Sequence, residues 1–272
     1  MLNRVLSSVS LFTLLAFSSL AQNDTLPPHF LVKGAAIGLS SPEMIDMMMV
    51  TMPGLGSNAK DMLNEQSVKP YIMPPRNARD PSKLRSYAIA TCMEFYNNFE
   101  KNYKVNLSPD FVSLSLVQEG NEDLKNALRF LVTDGTVSAD IMPYGSTSIP
   151  RSVFATQKYK ISNYLHIFRE SYRDRQKVFE TQKALMRGNP VIVEMKVPDD
   201  FDKIKNTRFW TQLGKSGEQV LPFVIVSYNL ELEAFEVLSA WGREWGNNGY
   251  LWIDFDDFCE IAQNGYVMVP NE

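Results

Sequence analysis

Ala240-Trp241-Gly242-Arg243-Glu244-Trp245-Gly246-Asn247-Asn248-Gly249-Tyr250 is the run from which the rest of this 272-residue chain is read. Two tryptophans and three glycines sit at fixed spacing, and Tyr250 closes the run. The combination is far more specific than a lone Gly-x-Gly. The flanks read as strands, residues 233–241 before it and 249–253 after it. Further strand-like runs lie at 159–168, 190–197, 219–228 and 265–270. A helix at 176–187 interrupts them, and Gly188-Asn189-Pro190 separates it from the next strand. Upstream, residues 74–150 read as helical. Ser82 is placed to cap a helix reaching about residue 103, with Leu84, Ala88, Thr91, Cys92 and Phe95 along one side. Leu124, Leu128 and Leu131 mark a second helix, closed by Gly135. Helices first and an antiparallel, barrel-like sheet afterwards is the α+β pattern.

The N-terminal part has a different character. Residues 1–21 carry a basic Arg4, an apolar core around Leu11 to Phe17, and small residues Ser19 and Ala21 before Gln22. This is the layout of a secretory signal peptide, and the apolar core is short for a membrane anchor. Cleavage near Ala21-Gln22 predicts a secreted or periplasmic protein with no later transmembrane segment. Residues 22–73 form an N-terminal extension. Within it Ser41-Pro42-Glu43 reads as a cap, a first-turn proline and a first-turn acid. Met44, Ile45, Met48, Met49 and Met52 follow at helical spacing, a stripe suited to core packing, and Pro53-Gly54 is expected to stop the helix.

Beyond the opening run, other segments carry the same likeness. Residues 240–250 resemble the Asn-Ser-Trp-Gly-x-x-Trp-Gly-x-x-Gly-Tyr signature of papain-like cysteine peptidases, of the compact bacterial type. Ser86-Tyr87-Ala88-Ile89-Ala90-Thr91 resembles the Cys-Trp-Ala-Phe-Ala/Ser start of that family's central helix. Leu107-Ser108-Pro109-Asp110-Phe111, Gly135-Thr136-Val137 with Pro143-Tyr144, and Gly188-Asn189-Pro190-Val191 resemble further family segments. Leu221-Pro222-Phe223-Val224-Ile225-Val226-Ser227-Tyr228 resembles its His-Ala-Val-x-x-Val-Gly-Tyr strand. The resemblance implies a two-lobed fold over residues 74–272, helical to about 150 and β-rich from 151, with a peptide groove between the lobes. It assigns Trp241, Gly242, Trp245, Gly246, Gly249 and Tyr250 to the structural motif.

The same alignment changes every functional position. Ser86 stands for the nucleophile, Leu221 for the base, Ser239 for the orienting asparagine and Asp80 for the oxyanion-hole glutamine. A cysteine peptidase needs a thiolate, a base within reach and a group that orients the base. The chain has two histidines, His29 and His166, and both read as surface or partly buried residues. Lys83 is the nearest candidate base for Ser86, and Arg85 stays protonated. A carboxylate at Asp80 repels developing negative charge. Cys92 lies six residues after Ser86, which turns it roughly 240° round the helix, away from the groove. Cys92 and Cys259 read either as a disulfide or as two buried thiols.

Net charge is −4, and no basic stripe interleaved with aromatics supports nucleic-acid binding. No metal-ligand pattern or cofactor motif is present in the sequence; Asp254, Asp256 and Asp257 read as a helix cap. The sequence therefore points to a pseudopeptidase, a homologue of cysteine peptidases that binds an extended peptide or an envelope protein without cutting it. The alternatives are a divergent peptidase built on Ser86 and an enzyme completed by a partner chain.

Overall fold

In a computed structural model, residues 36–55, 64–101, 104–120, 123–211 and 217–271 are described. The expected signal segment and His29 lie outside them. The helical lobe begins with Asp80, whose side chain accepts the Ser82 backbone N–H at 3.0 Å. A short 3-10 turn, Pro81–Lys83, then leads into a central helix. The cap is thus Asp80, two residues before the expected Ser82, because the carboxylate captures both the amide and the hydroxyl of Ser82.

Helix α1 is Pro42–Met48, α2 is Leu84–Lys101, α3 is Pro109–Glu119 and α4 is Leu124–Thr133. Ser108 and Asp123 cap α3 and α4 through their side-chain oxygens. Helix α5 is Asp174–Met186 and α6 is Phe255–Ile261. Asp254 caps α6, accepting the Asp257 N–H at 2.7 Å, the role read for the acidic run.

The strands are β1 Glu65–Ser67, β2 Ile161–Arg169, β3 Val191–Val197, β4 Phe209–Trp210, β5 Gln219–Asn229, β6 Ala234–Leu238, β7 Tyr250–Asp254 and β8 Ala262–Pro270. Among the described residues they form one open sheet in the order β2-β8-β3-β5-β6-β7-β4, with β1 against β5. All pairs are antiparallel except β4 with β7, where Phe209 lies beside Trp252. Helix α2 packs on β5, β3 and β8, and this contact joins the two lobes.

The opening run folds as a tight loop between β6 and β7. Trp245 is 1% exposed, and its Nε1 donates to the Phe201 carbonyl at 2.7 Å. Trp241, Phe223 and Phe201 pack round it with ring centroids 5.4–6.0 Å away. Gly246 has φ +57°, and a Cβ there would stand 2.3 Å from the Tyr250 carbonyl oxygen. At Gly249, φ is +90° and a Cβ would meet Pro75 at 2.5 Å. Glycine is the residue that admits both conformation and contact.

The extension packs on the sheet and on α5. Its helix ends earlier than expected, at Met48, with the Met49 N–H closing on Ile45. Arg187 explains the stop: its guanidinium takes the Asp46 and Met49 carbonyls, while Asn189 takes Val50. Ile45 and Met49 are buried, and Met48 and Met52 pack against the core, so most of the stripe serves packing. Leu39 pairs with Leu165 on the edge of β2, and β1 extends the sheet beside the C-terminal half of β5.

Candidate functional site

The 3-10 turn that leads into α2 is held by an ion pair and a side-chain cap. Lys83 Nζ donates to Asp110 Oδ1 at 2.5 Å, and Asp110 Oδ2 accepts the Gly145 N–H at 2.8 Å. An ammonium engaged this way donates and offers no lone pair, so Lys83 is spent as an inter-helix tie rather than placed as a base for Ser86. The Asp80 carboxyl is held below its ordinary range by the Ser82 hydroxyl and amide.

Ser86 is 3% exposed. It lines a shallow depression with Ser82, Arg85, Ser113, Leu116 and Val117, between α2 and α3. Ser239, also 3% exposed, follows β6. Its amide donates to the Gly249 carbonyl at 3.3 Å, and its hydroxyl accepts the Trp241 N–H at 3.2 Å, so it serves the motif loop. Leu221 lies in β5 opposite Met195 of β3 and is 7% exposed.

Ser239 faces a second depression. From the β lobe come Pro222, Val224, Leu238, Ser239 and Ala240; across from them stand Arg76, Tyr87, Ala88 and Thr91. Its free volume is about 10 Å³, room for one water at most. The α2 residues that share this depression with Ser239 are therefore Tyr87, Ala88 and Thr91, and Tyr87 is one residue, or roughly 100°, round the helix from Ser86. The chain crosses here as well: Ala78 N donates to the Ala240 carbonyl at 2.8 Å, and Asn77 pairs with Trp241. Leu221 lines neither depression.

Two features of this region were not read from the sequence. Glu94, fully buried in α2, accepts Arg76 Nη1 at 2.5 Å and the Leu107 N–H at 2.6 Å. Burial raises its pKa, and Arg76 pulls the other way. Tyr144 donates to the same carboxylate at 3.4 Å and lies 6.2 Å from the Tyr87 ring. Burial, with Asp110 second, pushes the Tyr87 phenol up to about 12. A glutamate inside the apolar run 88–95 was the available signal.

The other candidate groups stand elsewhere. His166 lies in β2, 5% exposed; its Nε2 is 3.0 Å from Asn264 Oδ1 and its ring stacks on Tyr266. Burial lowers its pKa to about 4. Cys92 and Cys259 are both free and buried, so the disulfide alternative is set aside. Burial raises both thiols, Cys259 to about 11. A thiol so shifted supplies little thiolate at neutral pH. Among the described residues no cluster of His, Cys, Asp or Glu is arranged to hold a metal ion, and no helix is long and apolar enough to cross a membrane.

The sequence pattern of the papain family cysteine proteases matches residues 87–269. This chain belongs to the papain family. The match contains Leu221 and Ser239 and begins one residue after Ser86. A cysteine proteinase of Theileria parva is 24% identical over 164 residues, 59% of this chain and 35% of its own. The match thus spans about a third of that relative's length. Xylellain, a cysteine protease from Xylella fastidiosa, superposes with a TM-score of 0.63 at 15% identity, covering 87% of this chain and 97% of its own. A digestive procathepsin L from Tenebrio molitor larval midgut gives 0.64 at 14%, covering 84% and 78%. These likenesses establish the papain-like two-lobed fold.

Proposed function

We propose that this papain-family chain has given up peptide hydrolysis and acts as a binding or scaffolding module for an extended peptide or an envelope protein. The observation that carries the reading is the composition of the lobe junction. Tyr87, Ala88 and Thr91 face Pro222, Val224 and Ser239 there, and neither a thiol nor an imidazole lines it. Nucleophile, base and orienting group act as one unit, so replacing all three removes hydrolysis rather than trimming it. Ser86 and Ser239 line different depressions, and Lys83, the lysine nearest Ser86 in sequence, is tied to Asp110. The leader at residues 1–21 assigns the protein to the secreted or periplasmic space after cleavage near Gln22. The extension packed on the sheet and α5 belongs to the scaffold in this reading.

Incubating the mature protein with a diverse peptide mixture, with cleavage and retention scored together by mass spectrometry, tests the proposal. Retention without cleavage is expected, with Val117→Trp at the rim of the Ser86 depression reducing it. Cleavage that disappears in Ser86→Ala would overturn the proposal and restore a serine-dependent peptidase.

A further inference from the structure

Further along the face of β6 and β7 that bears Leu238 lies a pocket that shares no residue with the lobe junction. Lys69, Arg208, Glu236, Asn247, Tyr250 and Trp252 line about 300 Å³, the lower end of small-ligand sites. Register builds it. Glu236 of β6 stands beside Trp252 of β7, Tyr250 lies two residues away on the same face, and Phe209 of β4 pairs with Trp252. Phe209 also stacks on Trp252, with centroids 6.3 Å apart, and braces the indole. Asn247 and Tyr250 come from the same Trp-Gly loop that fixes the fold.

Its charges are unevenly matched. Glu236 is 6% exposed, paired with Lys69 at 2.5 Å and accepting from Ser227 Oγ at 3.2 Å. Lys69 Nζ also sits 3.9 Å above the Tyr250 ring. Arg208 is exposed, 5.3 Å from the Phe209 ring, and among the described residues it forms no ion pair. The pocket therefore holds two cations against one carboxylate, a net single positive charge.

That arrangement selects its ligand. A purely apolar side chain would strip water from Arg208, Asn247 and Glu236 without replacing their hydrogen bonds. A multiply charged phosphate would face Glu236. A single carboxylate satisfies the Arg208 fork, hydroxyl groups satisfy Asn247, Lys69 and Glu236, and an apolar ring face lies on Trp252. We propose that this pocket binds a carboxylate-bearing sugar residue, with Arg208 taking the carboxylate and Trp252 the ring face. The site is independent of the peptide-binding reading, because no residue of the lobe junction enters it.

Calorimetric titration of the mature protein tests the assignment with two probes, a glucuronate oligosaccharide and an N-acetylmuramic acid saccharide, beside the matching neutral glucose oligosaccharide and inorganic phosphate. Saturable binding of at least one acidic sugar is expected, about tenfold or more tighter than the neutral one. The acid that binds identifies the source, an acidic polysaccharide or a cell-wall glycan. Arg208→Ala should weaken binding about tenfold while leaving the melting temperature unchanged, since the side chain is exposed. Trp252→Ala should weaken acidic and neutral sugars alike. The assignment fails if neither acid binds, if the neutral sugar or inorganic phosphate binds as tightly, or if Arg208→Ala leaves affinity intact. Peptide cleavage and retention do not enter this readout, so the two proposals stand or fall separately.

Discussion

His166 and Gly246 show how single residues carry consequences that composition conceals. Desolvation holds the His166 imidazole neutral, with a pKa of about 4 against an ordinary 6.5. The depressed value means that the unfolded chain binds the proton more readily. This contribution to stability is complete above pH 6.5 and is lost as pH falls through about 4, a change of up to about 3 kcal/mol. Replacing His166 with Phe should flatten that part of the acid limb, read as urea-unfolding free energy against pH. An unchanged limb would locate the acid sensitivity in other groups. Gly246→Ala places a Cβ 2.3 Å from a backbone oxygen at φ +57°. A loss of about 2 kcal/mol or more is expected by the same measurement.

At the scale of elements, the entry to α2 depends on one side chain. Asp80, which the resemblance aligned with the family's oxyanion-hole glutamine, serves as a helix cap through Ser82. Asp80→Ala should cost about 1 kcal/mol of stability, seen as a lower urea midpoint at unchanged slope, whereas Asp80→Asn should recover most of it. Most elements were legible in the sequence. The strands β2, β3, β5, β6, β7 and β8 and the helices α2, α4 and α5 follow from alternation, helical spacing and the Gly-Pro breaks between them. The two shortest strands were not. β1 and β4 span three and two residues, and a period of two cannot register over so few positions. Both exist because a neighbouring strand offers free backbone groups, a tertiary cause. The helix stop at Met48 has the same kind of cause, since the Arg187 and Asn189 side chains lie far along the chain.

At the scale of the molecule, one continuous buried cluster among the described residues runs from Ile45 through the α2 face to Val269. Helix α2 supplies both lobes with core, so neither lobe retains a sealed interior without the other. Urea unfolding of the mature protein should show one transition, with tryptophan fluorescence and far-ultraviolet dichroism coincident; separated midpoints would mean that the lobes unfold independently. Both cysteines belong to this interior. A maleimide should label neither thiol rapidly in the native protein and both after denaturation, and rapid native labelling of one would place that cysteine at the surface.

The fold was written in the chain because its signals are local. Trp241, Trp245 and three glycines demand one loop geometry, and the alternating runs around it have one way to bury their apolar faces. The residues at the positions the resemblance aligns with cysteine, histidine and asparagine, Ser86, Leu221 and Ser239, are read from the chain in the same way. What the sequence could not state is which way a side chain turns once helices and strands pack. Ser86 and Tyr87 are neighbours in the chain, and roughly 100° of helix rotation puts Tyr87 in the depression that Ser239 lines and Ser86 in the one beside α3. Glu94 with Arg76, Lys83 with Asp110, and Lys69 with Glu236 are likewise pairs across 18, 27 and 167 residues. Only tertiary packing chooses such partners, because a charge withdrawn from water must find its counterpart wherever the fold brings one.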